Sequence, residues 1–164
     1  MPWTPTYNLL LSEQLQTNLL AIIGANEAAA LAYVNGNVAM PEFKMRDRAR
    51  RTAMQFPYLV VGINSSFPNE QEDCFEPEHE FIIEIALLDS DPNQLAINIQ
   101  RYVRAITLLI LSATPAALFA GYDVKSEKRW SIGKANYGAF KSEIKQSQYL
   151  HLARFPVRIE TLER

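Results

Sequence analysis

The sequence contains few of the side chains from which active sites and metal sites are usually built. Cys74 is the only cysteine among 164 residues, and His79 and His151 are the only histidines. A single cysteine excludes an internal disulfide and favours a reducing compartment. One cysteine with one nearby histidine also falls short of a four-ligand zinc site. The neighbouring Glu76 and Glu78 do not complete the set, so this stretch predicts a solvated loop without a metal.

Catalytic and nucleotide-binding motifs are also missing. Residues 79–83 begin like the zinc-protease motif HExxH, but Ile83 stands where the second histidine must be, and the surrounding pattern is that of a strand. No G-x-S-x-G or G-x-G-x-x-G sequence occurs. We therefore expect neither an enzyme nor a cofactor. The alternative is a small-molecule-binding or enzymatic α+β domain of unknown substrate, with its site in the crevice between sheet and helix.

Neither an excess of one charge nor a long apolar run indicates a nucleic acid or a membrane as partner. The formal net charge is -2 and the pI is about 5.7, which gives no global attraction to nucleic acid or acidic lipid. The first residues lack the basic start and apolar run of a signal peptide. An uncharged window at residues 105–122 includes Thr114 and Pro115 and is typical of a buried helix end followed by a turn.

Length and composition predict one globular domain, residues 1–164. Hydrophobic residues make up 48% of the chain and charged residues 21%, which are ordinary proportions for a folded domain. The pattern of apolar residues divides the chain into a mainly helical part at residues 1–55 and an α+β core at residues 56–164.

The helical part begins with apolar residues that recur on one helix face, namely Leu11, Leu15, Leu19, Ile22 and Ile23. Ser12 is the predicted N-cap. We expect Gly24 to end or kink this helix and Asn26 to cap a second, short one. Residues 35–37, Asn-Gly-Asn, predict a turn.

The core begins with two strand patterns. Residues 56–63 form a short apolar run rich in β-branched and aromatic side chains, and residues 79–88 place alternate apolar side chains on one face. We expect an antiparallel pair joined by the unusually long loop 64–78.

The clearest local signal is a helix start at Asp91. Asp91 is the predicted N-cap, Pro92 suits the first helical position, and Gln94 can complete a capping box. An apolar stripe then predicts a helix that packs on the sheet and runs to about Leu111, before Thr114-Pro115 stops it.

The last third of the chain adds further strands. Residues 126–132 and 137–144 are strand-like, and residues 153–160 alternate as a half-buried strand does. Pro156 within that strand indicates an edge or a bulge. The predicted fold class is α+β, with a mixed sheet of about four strands and helices packed on it.

The order of elements from Phe56 onward resembles that of tail-terminator and related neck proteins of long-tailed bacteriophages. The residues that carry the resemblance are the strand at 56–63, the acidic loop, the strand at 79–85, the Asp89-Ser90-Asp91-Pro92 helix start and the strand at 155–160. The resemblance implies a structural subunit that forms a ring, commonly hexameric, at the head-proximal end of the tail tube. It implies tail-tube and head-connector proteins as partners, and a location in the virion tail or, if prophage-encoded, the bacterial cytoplasm.

A head-to-tail ring needs two different surfaces that fit each other, and two charged segments have opposite signs. Residues 44–51 carry five basic side chains and one acidic one, whereas residues 70–80 carry six carboxylates and no Lys or Arg. An eight-residue strand of roughly 27 Å separates them, so we expect them to meet between subunits. The predicted interface residues are Arg46, Arg48, Arg50, Arg51, Glu70, Glu72, Asp73 and Glu76. Two alternatives are a solvated surface without a partner and a nucleic-acid adaptor acting through residues 44–51, although that segment lacks interleaved aromatics.

Overall fold

A computed structural model describes most of the chain. The described residues are 2–3, 12–52, 54–67, 70–71, 74–75, 78–121, 129–141 and 148–160. The helices are α1 (Ser12–Val34), α2 (Pro92–Leu111) and α3 (Pro115–Leu118). The strands are β1 (Met45–Asp47), β2 (Tyr58–Phe67), β3 (Glu70–Gln71), β4 (Cys74–Phe75), β5 (Glu78–Asp89), β6 (Arg129–Ile132), β7 (Asn136–Lys141) and β8 (Tyr149–Glu160).

Six of these strands form one mixed sheet in the order β1-β2-β5-β8-β6, with β7 also paired to β8. β1 runs parallel to β2, and every other pair in the sheet is antiparallel. The predicted α+β class is confirmed, but the sheet has six strands instead of about four. β1 is too short to show an alternating pattern, whereas β6 and β7 lie at the two segments predicted to be strand-like, 126–132 and 137–144, and both pair with β8.

β2 and β5 form the predicted antiparallel pair and lie in the interior of the sheet. Leu59, Val61, Ile83 and Ile85 point to one face and are fully buried there, together with Phe155 of β8. Both long helices pack on this face, which we call the inner face. The opposite face, the outer face, carries charged side chains on its central strands.

The helix start at Asp91 is confirmed, but the predicted capping box is wrong: the Gln94 side-chain amide donates to Asn98 Oδ1 at 3.0 Å, and the Asp91 N–H donates to the Asp89 carboxylate at 3.2 Å. The Asp91 carboxylate accepts hydrogen bonds from the backbone N–H groups of Asn93 at 2.9 Å and Gln94 at 3.2 Å. α2 ends at Leu111 as predicted, and Thr114 caps the short α3 that follows. The uncharged window is therefore two helices separated by a turn.

The prediction that Gly24 ends the first helix is wrong, because α1 continues unbroken from Ser12 to Val34. Gly24 lies on the exposed side of α1, where a glycine costs about 1 kcal/mol relative to alanine, and apolar burial on both sides of it offsets that cost. Asn26 does not cap a second helix; its side-chain amide donates to the Ile22 carbonyl at 2.9 Å. The predicted turn follows α1, with positive φ at Gly36 and Asn37.

The prediction that Pro156 marks an edge strand or bulge is also wrong, since β8 is a central strand paired to β5 along its whole length. On its other side, β6 ends at Ile132 and β7 begins at Asn136. The Gly133 N–H donates to the Pro156 carbonyl at 2.9 Å. In an antiparallel strand a residue's N–H and C=O point to the same side, so the N–H that proline lacks would have faced this gap between two partner strands.

α1 is the one helix in the described part of the chain that is long and apolar enough to cross a membrane by length and composition. Its buried side chains Leu15, Leu19 and Ile23 belong to the core against the sheet, as is typical of a core helix in a globular domain. Ser12 is the first described residue of α1, and its hydroxyl is hydrogen-bonded to Nδ1 of His79 at 2.7 Å.

Candidate functional site

The basic segment, residues 44–51, folds back along the sheet edge. β1 pairs with the first residues of β2, Met45 beside Tyr58 and Asp47 beside Val60. The segment therefore lies along the start of β2 and does not project beyond it. This placement brings its arginines close to carboxylates of the same chain.

Arg46 points toward α1 and forms an ion pair with Glu27. Arg46 Nε lies 2.9 Å from Glu27 Oε2, and Nη2 contacts the other carboxylate oxygen. Glu27 is fully buried, and an ionised carboxylate at such a site needs a partner. The pair therefore ties the sheet edge to α1.

Arg50 reaches over the outer face to Glu84, in the middle of β5. Glu84 is 5% exposed and accepts hydrogen bonds from Arg50 at 2.5 and 2.6 Å, from Arg154 at 2.5 Å and from the Tyr58 hydroxyl at 2.8 Å. Burial raises the pKa of Glu84, but the hydrogen bonds from Arg50, Tyr58 and Arg154 outweigh it, and the pKa lies below its usual value. Burial together with the Glu84 contact raises the pKa of Tyr58 to about 12.

The other two predicted interface arginines differ from each other. Arg51 forms an ion pair with Asp47, whose pKa is lowered first by the backbone N–H of Arg48 and further by Arg51. The Arg48 side chain donates to the Thr17 hydroxyl and has no ion pair with a carboxylate in the described residues. Three of the four predicted arginines are therefore already paired within the chain.

The acidic half of the predicted interface is described only in part. β3 and β4 form a small hairpin, with Glu70 paired to Phe75 along the backbone. Glu72, Asp73 and Glu76 lie outside the described residues. Contact between these carboxylates and another subunit stays a prediction.

The outer-face carboxylates at the start of β5, Glu78 and Glu80, are paired with an arginine of the same chain. Arg158 Nε lies 2.7 Å from Glu80 Oε2 and 3.7 Å from Glu78 Oε1, and Asn64 also donates to Glu80. Hydrogen bonds from Arg158 and then Asn64 lower the pKa of Glu80. Sequence reasoning missed this pattern, although Glu78, Glu80 and Glu84 recur on one side of β5 at strand spacing.

The outward side of α2 has the opposite character. Three large apolar side chains are exposed there, Ile97 at 49%, Leu108 at 39% and Leu111 at 54%. Arg101 and Arg104 lie between them and make no hydrogen bond or ion pair within the described part of the chain. Beside them an open depression of about 270 Å³ separates α2 from β7 and is lined by Ala96, Ile99, Gln100, Tyr137, Gly138, His151 and Leu152.

That depression is the sheet–helix crevice considered as a ligand site. Its polar side chains among the described residues are Gln100, Tyr137 and His151, and the rest of its lining is apolar or glycine, whereas ligand sites usually combine several convergent polar groups. Burial lowers the pKa of both His151 and His79, so neither is held charged. Within the described ranges, no three His, Cys, Asp or Glu side chains cluster closely enough to hold a metal.

Comparison with known proteins adds a likeness of fold. No protein-family model matches the chain, and no curated protein matches it in sequence. Among solved structures, it is similar to a chain from the virion of a native gene transfer agent particle, with a TM-score of 0.50 and 16% sequence identity. The likeness covers 93% of this chain and 99% of that chain, so most of the helical part at residues 1–55 belongs to the shared fold.

Proposed function

We propose that the chain is a non-catalytic structural protein of a phage-like virion. The observation that carries the proposal is the fold shared, over nearly the full length of both chains, with a chain of a gene transfer agent virion. The order of elements from Phe56 onward, which resembles tail-terminator and neck proteins, supports the same class. The crevice beside His151 has a mainly apolar lining among the described residues, which suits packing better than chemistry.

Within that class, we propose a tail-terminator-like subunit that forms a ring at the head–tail junction. Its partners there would be the tail tube below and the head connector above, and its location the virion or the cell in which the virion assembles. A ring requires a heterologous contact, in which one surface of each subunit meets a different surface of the next. The acidic loop supplies one such surface, since its carboxylates outnumber its cations by six to none between residues 70 and 80.

In one form of the proposal, the cationic side of that contact consists of Arg46, Arg48, Arg50 and Arg51. Intramolecular ion pairs of Arg46, Arg50 and Arg51 reduce what they can offer a neighbour. Arg48 retains an exposed side chain without a carboxylate partner among the described residues. In this form, Arg48 would contribute most of the attraction.

Self-association and binding to tail tubes test the function together. Light scattering and negative-stain imaging of the purified chain, across a concentration series and with or without tail tubes of the same virus, should reveal closed rings. The rings should also appear at one end of the tubes. A chain that stays monomeric at every concentration and leaves tube ends bare would contradict the proposed role.

A further inference from the structure

We propose that the outward side of α2 is the docking surface for a second copy of this chain and that it receives the neighbour's acidic loop, residues 70–80. The inference rests on the proposed function in that it assumes self-association. It assigns the cationic half of the subunit contact to α2 instead of the basic segment at residues 44–51.

The surface is a continuous stripe on one side of a regular helix. The stripe consists of five residues at intervals of four, three, four and three positions, a spacing that places them on one side of α2. They are Ile97, Arg101, Arg104, Leu108 and Leu111. From the first to the last, the stripe is about 21 Å long. The other side of the helix is buried in the core, so α2 is held rigidly while this stripe faces outward.

The charge of the stripe is uncompensated. α2 contains no Asp or Glu, and Arg101 and Arg104 are its only charged residues. Neither has a carboxylate partner in the described ranges, whereas Arg50 and Arg154 are bound to Glu84 and Arg46 to Glu27. An exposed Arg104 and a half-buried Arg101, flanked by exposed Ile and Leu side chains, are a combination typical of protein interfaces.

The acidic loop of a second copy has the matching composition. Glu70, Glu72, Asp73 and Glu76 supply negative charge without a basic residue among them, and Cys74-Phe75 supply apolar contact. The remaining loop carboxylates, Glu78 and Glu80, are already paired with Arg158. Because stripe and loop are different surfaces of one subunit, their contact is heterologous and continues from subunit to subunit, as a closed ring requires.

Charge reversal in two separate chains tests the contact directly. One variant carries Arg101→Glu and Arg104→Glu, and the other carries Glu72→Lys and Glu76→Lys. Each alone should raise the concentration needed for assembly at least about tenfold at low salt, equivalent to about 1.4 kcal/mol. An equimolar mixture should restore assembly, because each stripe then faces a loop of opposite charge on its neighbour. Added salt should shrink the differences.

The matched control is Lys44→Glu with Lys134→Glu, which changes the net charge by the same amount at exposed cations that are not among the predicted interface arginines and have no carboxylate partner in the described residues. This control should assemble nearly as well as the unaltered chain. A separate Arg48→Glu variant tests the basic segment. If it fails to assemble while the α2 variant assembles normally, the contact lies at the basic segment, and the α2 inference is overturned while the ring survives. If mixing does not restore assembly, the stripe does not contact a neighbour's acidic loop, and the α2 inference is overturned. If the unaltered chain never assembles, inference and ring fall together.

Discussion

Replacing Glu84 by Gln removes the charge at the centre of the ion-pair cluster with Arg50 and Arg154 and keeps nearly the same volume. Glu84 lies on the outer face, where two guanidinium groups and the Tyr58 hydroxyl converge on its carboxylate. Glutamine retains one acceptor oxygen but adds an amide N–H₂ that faces cationic donors. The substitution should therefore destabilise the fold without creating a cavity.

The size of the destabilisation depends on how exposed Arg50 and Arg154 are to solvent. Hydrogen bonds to a charged group contribute about 1.5–3 kcal/mol each, and removing one member of a fully buried pair costs about 3–5 kcal/mol. The side chains of Arg50 and Arg154 are 50% and 52% exposed, so water can solvate them once the carboxylate charge is gone. We expect a loss of about 2 kcal/mol in the free energy of unfolding, or a Tm lower by roughly 4–8 °C for a domain of this size.

Urea denaturation at pH 7 gives this free energy, with Glu160→Gln as the control. Glu160 lies on the same face but is exposed and makes no ion pair in the described part of the chain, so its replacement should stay within about 0.5 kcal/mol. Because the pKa of Glu84 is lowered, its stabilisation is complete above its ordinary value near 4.5 and is lost as the pH falls below it. Equal losses for the two variants at pH 7, or a gap that stays constant down to pH 3, would refute the reasoning.

Three further outcomes follow from single contacts. Burial lowers the pKa of His79, so below the ordinary value near 6.5 the unfolded chain binds more protons than the folded chain. The free energy of unfolding should therefore fall by up to about 1.4 kcal/mol per pH unit. In urea titrations, His79→Gln should flatten this dependence between pH 6.5 and 5. Gly133→Ala should destabilise the fold by about 1–3 kcal/mol because the new Cβ would overlap Pro156 Cγ. Gly24→Ala should stabilise it by about 0.5–1 kcal/mol, because the heavy atom nearest to the new Cβ is 3.9 Å away. Equal Tm shifts for the two variants would contradict this. Asp91→Ala should lower stability by about 1 kcal/mol, and a neutral result by calorimetry would mean the cap is dispensable.

The elements that local chemistry determines were predictable from the sequence. Asp91, Pro92 and the apolar stripe behind them are sufficient to locate α2, and alternation is sufficient to locate β5 and β8. The prediction that Gly24 ends the helix is wrong because helix propensity is a local quantity, whereas burial of Leu19, Ile23 and Leu31 against the sheet depends on the whole fold. Tertiary packing therefore keeps α1 continuous through Gly24.

The candidate interface was harder to predict for a related reason. The positive charge of residues 44–51 is visible in the sequence, but the carboxylates that neutralise it are 19 and 34 residues away, at Glu27 and Glu84. Only the fold brings them together. Conversely, two arginines on α2 look ordinary in the sequence, and they become distinctive only because the fold leaves them without partners among the described residues.

The two layers of the domain therefore differ in what they can offer a neighbour. On the outer face of the sheet, Glu84 and Glu80 hold Arg50, Arg154 and Arg158, so a partner docking there would have to compete with existing ion pairs. On the helical layer, the α2 stripe combines exposed apolar area with charge that nothing in the described chain balances. Association at the stripe gains attraction without breaking an internal contact, whereas association at the sheet face exchanges one set of ion pairs for another. For that reason subunit assembly is expected to use the helical layer, with the sheet's outer face contributing stability to each subunit.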